Sequence, residues 1–102
     1  MTNWIDVAAS DAVAEGDVLG VTAQGRPIAL FRLEDAVFAL HDLCSHGQAR
    51  LSDGFVEDGH VECPLHQGLI CIRTGAPASA PITAPVASYP VEIAGGRIRV
   101  AL

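Results

Sequence analysis

Cys44-Ser45-His46 and Cys63-Pro64-Leu65-His66 are the two stretches on which the reading of this chain turns. Residues 47–62 lie between them, so the pattern is C-x-H, sixteen residues, then C-x-x-H. Each stretch offers a metal one soft thiolate and one imidazole. The two read as arms brought together by the fold, one cysteine and one histidine on each.

What such arms hold depends on how the four ligands are shared. A single zinc ion takes two cysteines and two histidines readily. The usual zinc finger, however, places two cysteines close together and then two histidines, whereas here Cys-His is followed by Cys-His. A binuclear iron–sulfur cluster needs two protein ligands on each iron, and a cluster with two histidines on one of its irons matches this set. Cys44 and Cys63 would then hold one iron, and His46 and His66 the other. One or two residues between Cys and His let a single loop reach both irons.

Outward from the arms the texture is short strands and tight turns. Trp4–Val7 reads as a strand and Ala8–Gly16 as a loop or helical turn. Val18–Thr22 reads as a strand, followed by a break at Gln24-Gly25. Pro27–Leu33 and Ala36–Leu40 flank Glu34-Asp35 as a hairpin. At the end, Val91-Glu92-Ile93 and Ile98–Leu102 alternate apolar and polar residues around Gly95-Gly96, a turn that needs positive φ. Arg97 and Arg99 fall on the face opposite the apolar residues. Residues 76–87, with Pro77, Pro81 and Pro85, read as an extended loop. The spacing predicts one domain: base sheets from about 1–41 and 77–102, and a loop-built cluster-binding subdomain over about 42–76.

The arms and their flanks resemble the Rieske ferredoxin family, above all the small ferredoxin components of bacterial aromatic-ring-hydroxylating dioxygenases. The residues that carry the likeness are Leu43-Cys44-Ser45-His46-Gly47, Val61-Glu62-Cys63-Pro64-Leu65-His66-Gln67-Gly68, Cys71-Ile72-Arg73-Thr74-Gly75 and Tyr89-Pro90-Val91. The likeness covers nearly the whole chain, and the double motif is specific where either half alone is weak. It implies an all-β fold, a Rieske-type antiparallel β-sandwich or barrel, with one Rieske [2Fe–2S] cluster. It further implies that the histidine-bound iron is the one reduced, so that His46 and His66 lie near the surface and form the exit port. A proline loop covers the cluster in related proteins, and Pro77 or Pro81 could serve here. In respiratory relatives a disulfide links the cluster loops; the resemblance would place those cysteines at Ala49 and Leu65, neither of which is cysteine. The hydroxyl that follows the second motif in high-potential relatives is also missing, since Gln67-Gly68-Leu69 occupies that stretch.

Other residues near the arms have plainer readings. Cys71, within Leu69-Ile70-Cys71-Ile72, reads as a small buried hydrophobe rather than a ligand. His41 and His60 read as surface or loop histidines, and Trp4 and Tyr89 as packing residues rather than electron relays. Leu43, Leu65, Leu69 and Ile70 could limit the access of water to the cluster.

The chain has 102 residues, twelve acidic and six basic, for a formal net charge of −6. Nucleic acid and anionic membranes are disfavoured as partners, because phosphate binding needs clustered Lys and Arg. The same charge suits transient docking on basic protein surfaces, with Asp53, Glu57 and Asp58 as candidates. Three cysteines do not make a disulfide scaffold, and the first residues show no signal peptide, so the expected compartment is the cytoplasm. An oxygen-activating centre would need two further histidines and a carboxylate, and only His41 and His60 remain.

The function expected is therefore a soluble, monomeric one-electron carrier, not an enzyme. It would accept electrons from an NAD(P)H-dependent flavoprotein reductase and serve the terminal non-haem iron oxygenase of an aromatic-ring-hydroxylating dioxygenase. Two alternatives stand beside it: the Rieske-like small subunit of an assimilatory nitrite reductase, and a non-redox zinc-binding interaction module. Metal analysis separates the last. Iron and sulfide with a rhombic paramagnetic signal after reduction are expected, whereas colourless protein with one zinc per chain, grown with iron supplied, would contradict the reading. With few hydrogen bonds to the cluster sulfurs the midpoint should lie near the lower Rieske limit of about −150 mV; a titration placing it hundreds of millivolts higher would contradict this.

Overall fold

A computed structural model describes residues 3–34, 36–45, 49–65 and 67–102. Asp35, His46, Gly47, Gln48 and His66 lie outside the described residues, as do the first two of the chain. Among those described there are ten strands and two short 3₁₀ turns, and no α-helix.

Strands β1 (Trp4–Ala9), β9 (Val91–Ala94) and β10 (Arg97–Ala101) form one antiparallel sheet in the order β1-β10-β9. Strands β2 (Val18–Ala23), β3 (Arg26–Leu33), β4 (Ala36–His41) and β8 (Ser88–Tyr89) form a second in sequence order. Strands β5 (Phe55–Glu57), β6 (His60–Glu62) and β7 (Leu69–Cys71) form a third. This last sheet adds three short strands to the stretch that the sequence presents as loops. Runs of three residues are too short for alternation to declare itself.

The turns explain the pairing. Gln24-Gly25, Asp58-Gly59 and Gly95-Gly96 each put two consecutive residues at positive φ. That is the two-residue turn whose twist matches paired strands, and the registers close directly on it: Ala23 opposite Arg26, Glu57 opposite His60, Ala94 opposite Arg97. β3 and β4 also form the expected hairpin, Leu33 opposite Ala36.

Alternation then sorts side chains into two cores. One cluster joins Ile28, Leu30, Val37 and Ala39 of the middle sheet to Ile98 and Val100 of β10. The other joins Ala29, Phe31, Leu33 and Leu40, from the opposite face of the same sheet, to Leu51, Val61, Ile70, Ile72, Ile82 and Val86. The four-stranded sheet is thus a shared wall, and its second face carries the cysteine-bearing segment. On β10 the arginines point away from the core as the pattern requires; Arg97 bonds Asp6 at 2.7 Å and holds that carboxyl below the usual range. Trp4, expected to pack, stands largely at the surface at the start of β1, while Tyr89 packs on the first cluster.

Ile98 is fully buried and Ile93 exposed. Ile98→Ala should cost about 2–5 kcal/mol, the usual penalty for a cavity in a packed core, and Ile93→Ala less than about 0.5 kcal/mol. Denaturant melts of the two variants check the difference.

Candidate metal centre

Cys44 follows β4 and Cys63 follows β6 directly. Both are buried, and both belong to the core cluster between the middle and small sheets. The structure therefore brings the two expected cysteine ligands into one apolar neighbourhood. The two expected histidine ligands, His46 and His66, lie outside the described residues.

The two cysteines are held in the same way. The Cys44 N–H donates to the Ala49 carbonyl at 2.9 Å, and the Cys63 N–H to the Gly68 carbonyl at 2.9 Å. In each arm the loop closes five residues beyond its cysteine, with the candidate histidine inside the loop. In the second arm Gln67 N–H also donates to the Cys63 carbonyl at 2.9 Å. Thiols with soft donor character sit at matching positions in matching loops, which fits a cofactor that takes one soft ligand from each arm.

A third segment clamps both loops. Ser45 Oγ donates to the Ala84 carbonyl at 2.6 Å, which ties residues 76–87 to the first arm. Leu69 N–H donates to Ser79 Oγ at 2.9 Å, and Ala78 N–H to the Leu69 carbonyl at 2.8 Å, which tie it to the second. Pro77 bridges Ile70. Pro81 lies over Gly68: a Cβ there would stand 2.7 Å from Ile82 Cγ1 and 3.2 Å from Pro81 Cδ. Of the two candidate covering prolines, Pro81 is the one seated against the second loop. A proline-rich stretch flags such a segment in sequence, but its serine bonds carry no pattern that could have been read.

The apolar residues expected to exclude water divide into two pairs. Ile70 is buried and Leu69 half-buried, whereas Leu43 is 37% and Leu65 63% exposed. Leu43 and Leu65 adjoin the cysteine loops and face outward, so they are available to a docking surface. On the outer face of the small sheet the register sets Phe55, Glu62 and Leu69 in one row and Glu57, His60 and Cys71 in the next. Phe55 is 70% exposed. Phe55, Val56, Glu57, Glu62 and Leu69 line an open groove of about 430 Å³. Four ion pairs engage Arg50, Arg73, Arg97 and Arg99; among the described residues none involves Asp53, Glu57, Asp58 or Glu62.

The remaining candidates are placed as follows. His41 ends β4 and His60 begins β6, both half-buried, with His60 Nδ1 2.8 Å from the Asp58 carbonyl. Cys71 is not the buried hydrophobe expected. It ends β7 half-buried, and its pKa is lowered by a hydrogen bond from the Thr74 side chain, helped by the Arg73 and Thr74 backbone, against the opposing effect of burial.

Comparison with known proteins adds the rest. The Rieske [2Fe–2S] domain profile matches residues 3–90. The anthranilate 1,2-dioxygenase ferredoxin subunit of Burkholderia cepacia is 56% identical over 100 residues, covering 98% of this chain and 93% of that protein. The ferredoxin of carbazole 1,9a-dioxygenase from Nocardioides aromaticivorans IC177 superposes with a TM-score of 0.93 at 36% identity, covering 97% of both chains. A ferredoxin chain described in a complex of reduced oxygenase and oxidized ferredoxin in carbazole 1,9a-dioxygenase gives 0.90 at 37% identity, covering 96% and 92%.

In the reduced, metal-free protein, iodoacetamide should modify Cys71 before Cys44 or Cys63, because the Cys71 thiol is partly exposed and its pKa lowered, while the other two thiols are buried. Peptide mapping over a time course checks this; earlier modification of Cys63 would contradict it.

Proposed function

This chain belongs to the Rieske [2Fe–2S] domain family, and on that basis we propose that Cys44 and Cys63 hold one iron of a single cluster while His46 and His66 hold the other. A bound cluster supplies a one-electron couple. The chain is an electron carrier, not itself an enzyme, and its relatives are ferredoxin components of dioxygenase systems. It takes electrons from an NAD(P)H-dependent flavoprotein reductase and delivers them to a terminal aromatic-ring-hydroxylating oxygenase, working as a monomer in the reducing cytoplasm. The described residues contain no helix long and apolar enough to cross a membrane.

The observation that carries this reading is the pair of matching loops, each burying one cysteine in the same apolar cluster. Burial of Cys44 and Cys63 keeps water from their sulfurs. The segment around Pro81 lies over the second loop and shields it further. His46 and His66, the ligands read for the second iron, belong to the same two loops in sequence and would be the ones a partner meets. Non-cysteine residues at Ala49 and Leu65 leave no disulfide between the loops and support a low-potential carrier.

Partner docking falls to the exposed apolar residues and the acidic ones beside them. Leu43 and Leu65 border the arms, and Phe55 stands on the small sheet with Glu57 and Glu62. A basic partner surface complements these charges, which speed encounter more than they tighten binding.

Reconstitution tests the proposal. With an NADH-dependent reductase and an oxygenase of the related systems, the protein should restore substrate-dependent oxygen uptake. Cys44→Ala or His66→Ala should abolish it and bleach the protein. Transfer should slow as salt is added, and a combined Glu57→Gln, Asp58→Asn, Glu62→Gln variant should show a shallower salt dependence. Rates insensitive to ionic strength would contradict the docking role.

A further inference from the structure

We propose that Asp42 is a positioning residue for the first arm: its buried carboxylate locks the 42–52 segment shut beneath Cys44 and holds a negative charge there. The proposal rests on the reading of Cys44 as a cluster ligand.

Among the described residues Asp42 is the one charged side chain that is fully buried. A buried carboxylate is costly unless hydrogen bonds and a counter-charge compensate. Here the compensation comes entirely from the far side of the ligand loop. Ser52 N–H donates to Oδ1 at 2.7 Å, Ser52 Oγ donates to Oδ2 at 2.7 Å, and Arg50 Nη1 stands 3.4 Å from Oδ2.

The backbone follows the same plan. Asp42 N–H donates to the Pro27 carbonyl on β3 at 2.9 Å, which fixes the base of the segment to the middle sheet. Leu51 N–H returns to the Asp42 carbonyl at 2.6 Å, Leu43 bridges Arg50, and Cys44 N–H reaches Ala49. The segment is therefore zipped from its base, 42 against 51 and 52, then 43 against 50, then 44 against 49. The sequence between Cys44 and Ala49 includes the candidate ligand His46. The carboxylate is the side-chain lock at the foot of that zipper.

Strand β2 leaves room for the lock. A Cβ on Gly20 would stand 2.8 Å from Ser52 Oγ and 3.2 Å from Asp42 Oδ2. A side chain there would push the serine hydroxyl off the carboxylate.

An asparagine would fill the same volume and could still accept from Ser52 N–H. It would turn an amide N–H₂ toward Ser52 Oγ and Arg50, and it would remove the charge. A negative charge in a low-dielectric interior opposes the arrival of an electron nearby. Arg50 offsets it only in part, because its side chain is more than half exposed and screened by water. Asp42 thus closes the arm and also helps keep the potential low.

Three variants separate these roles: Asp42→Asn removes the charge, Ser52→Ala removes one donor and keeps the charge, and Gly20→Ala crowds Ser52 from β2. Each is read by iron per chain, the rate at which a chelator bleaches the visible spectrum, and the midpoint potential. Ile98→Ala, which loosens the other core, gives the bleaching rate due to lost stability alone. Asp42→Asn should bleach several-fold faster than Ile98→Ala and shift the midpoint upward. Ser52→Ala and Gly20→Ala should bleach faster with little change in midpoint. A wild-type midpoint in Asp42→Asn, with bleaching no faster than in Ile98→Ala, would overturn the proposal. If Asp42→Asn retains no iron, the other two decide, and wild-type bleaching in both overturns it. Wild-type protein that itself holds no iron would instead refute the ligand assignment.

Discussion

Two backbone hydrogen bonds, from Cys44 N–H to the Ala49 carbonyl and from Cys63 N–H to the Gly68 carbonyl, set the conditions that the rest of the molecule meets. Each closes a loop five residues beyond its cysteine; the thiol lies in the core, while Ser45, Pro64, Leu65 and Gln67 are exposed. Burying two thiols together in this way needs apolar walls on several sides. The second face of the middle sheet, the small three-stranded sheet and the Ile82–Val86 stretch supply them.

That requirement explains the layering. The four-stranded sheet has both faces buried, and β3 accordingly reads as an almost unbroken apolar run from Ile28 to Phe31, all four of them buried. One face closes against β10 and makes a base that includes none of the cysteines. The other holds the cysteine loops. The segment from 76 to 87 crosses from the second arm to the first and bonds to both, at Ser79 and Ser45, so neither loop is held by its own bonds alone.

Much of this was legible in the sequence because it rests on local rules. Gly95-Gly96 marks a hairpin in the sequence, since two consecutive positive-φ residues suit glycine, whereas Gln24-Gly25 reads there only as a break and proves to be the same kind of turn. Cys44 and Cys63 stand out in the sequence as candidate ligands through the double motif, and the fold brings both into one apolar cluster. What the sequence does not display depends on contacts distant along the chain. Nothing local to Asp42 shows that it would be buried on Ser52, nor anything in Gly20 that it makes room for that pair. Strands β5 to β7 are too short to betray a period and exist because their neighbours pair with them. Cys71 reads as a core residue from its apolar neighbours, but it falls on the outward face of a strand whose inward residue is Ile70. The pleat, not the average hydrophobicity, decides which side chain is covered.

The central claim is that the two arms give one iron two histidines. Pulsed electron paramagnetic resonance of the reduced protein, with histidine labelled by ¹⁵N, addresses that claim most directly. Two strongly coupled histidine nitrogens are expected. A reduced cluster without histidine coupling would contradict the account.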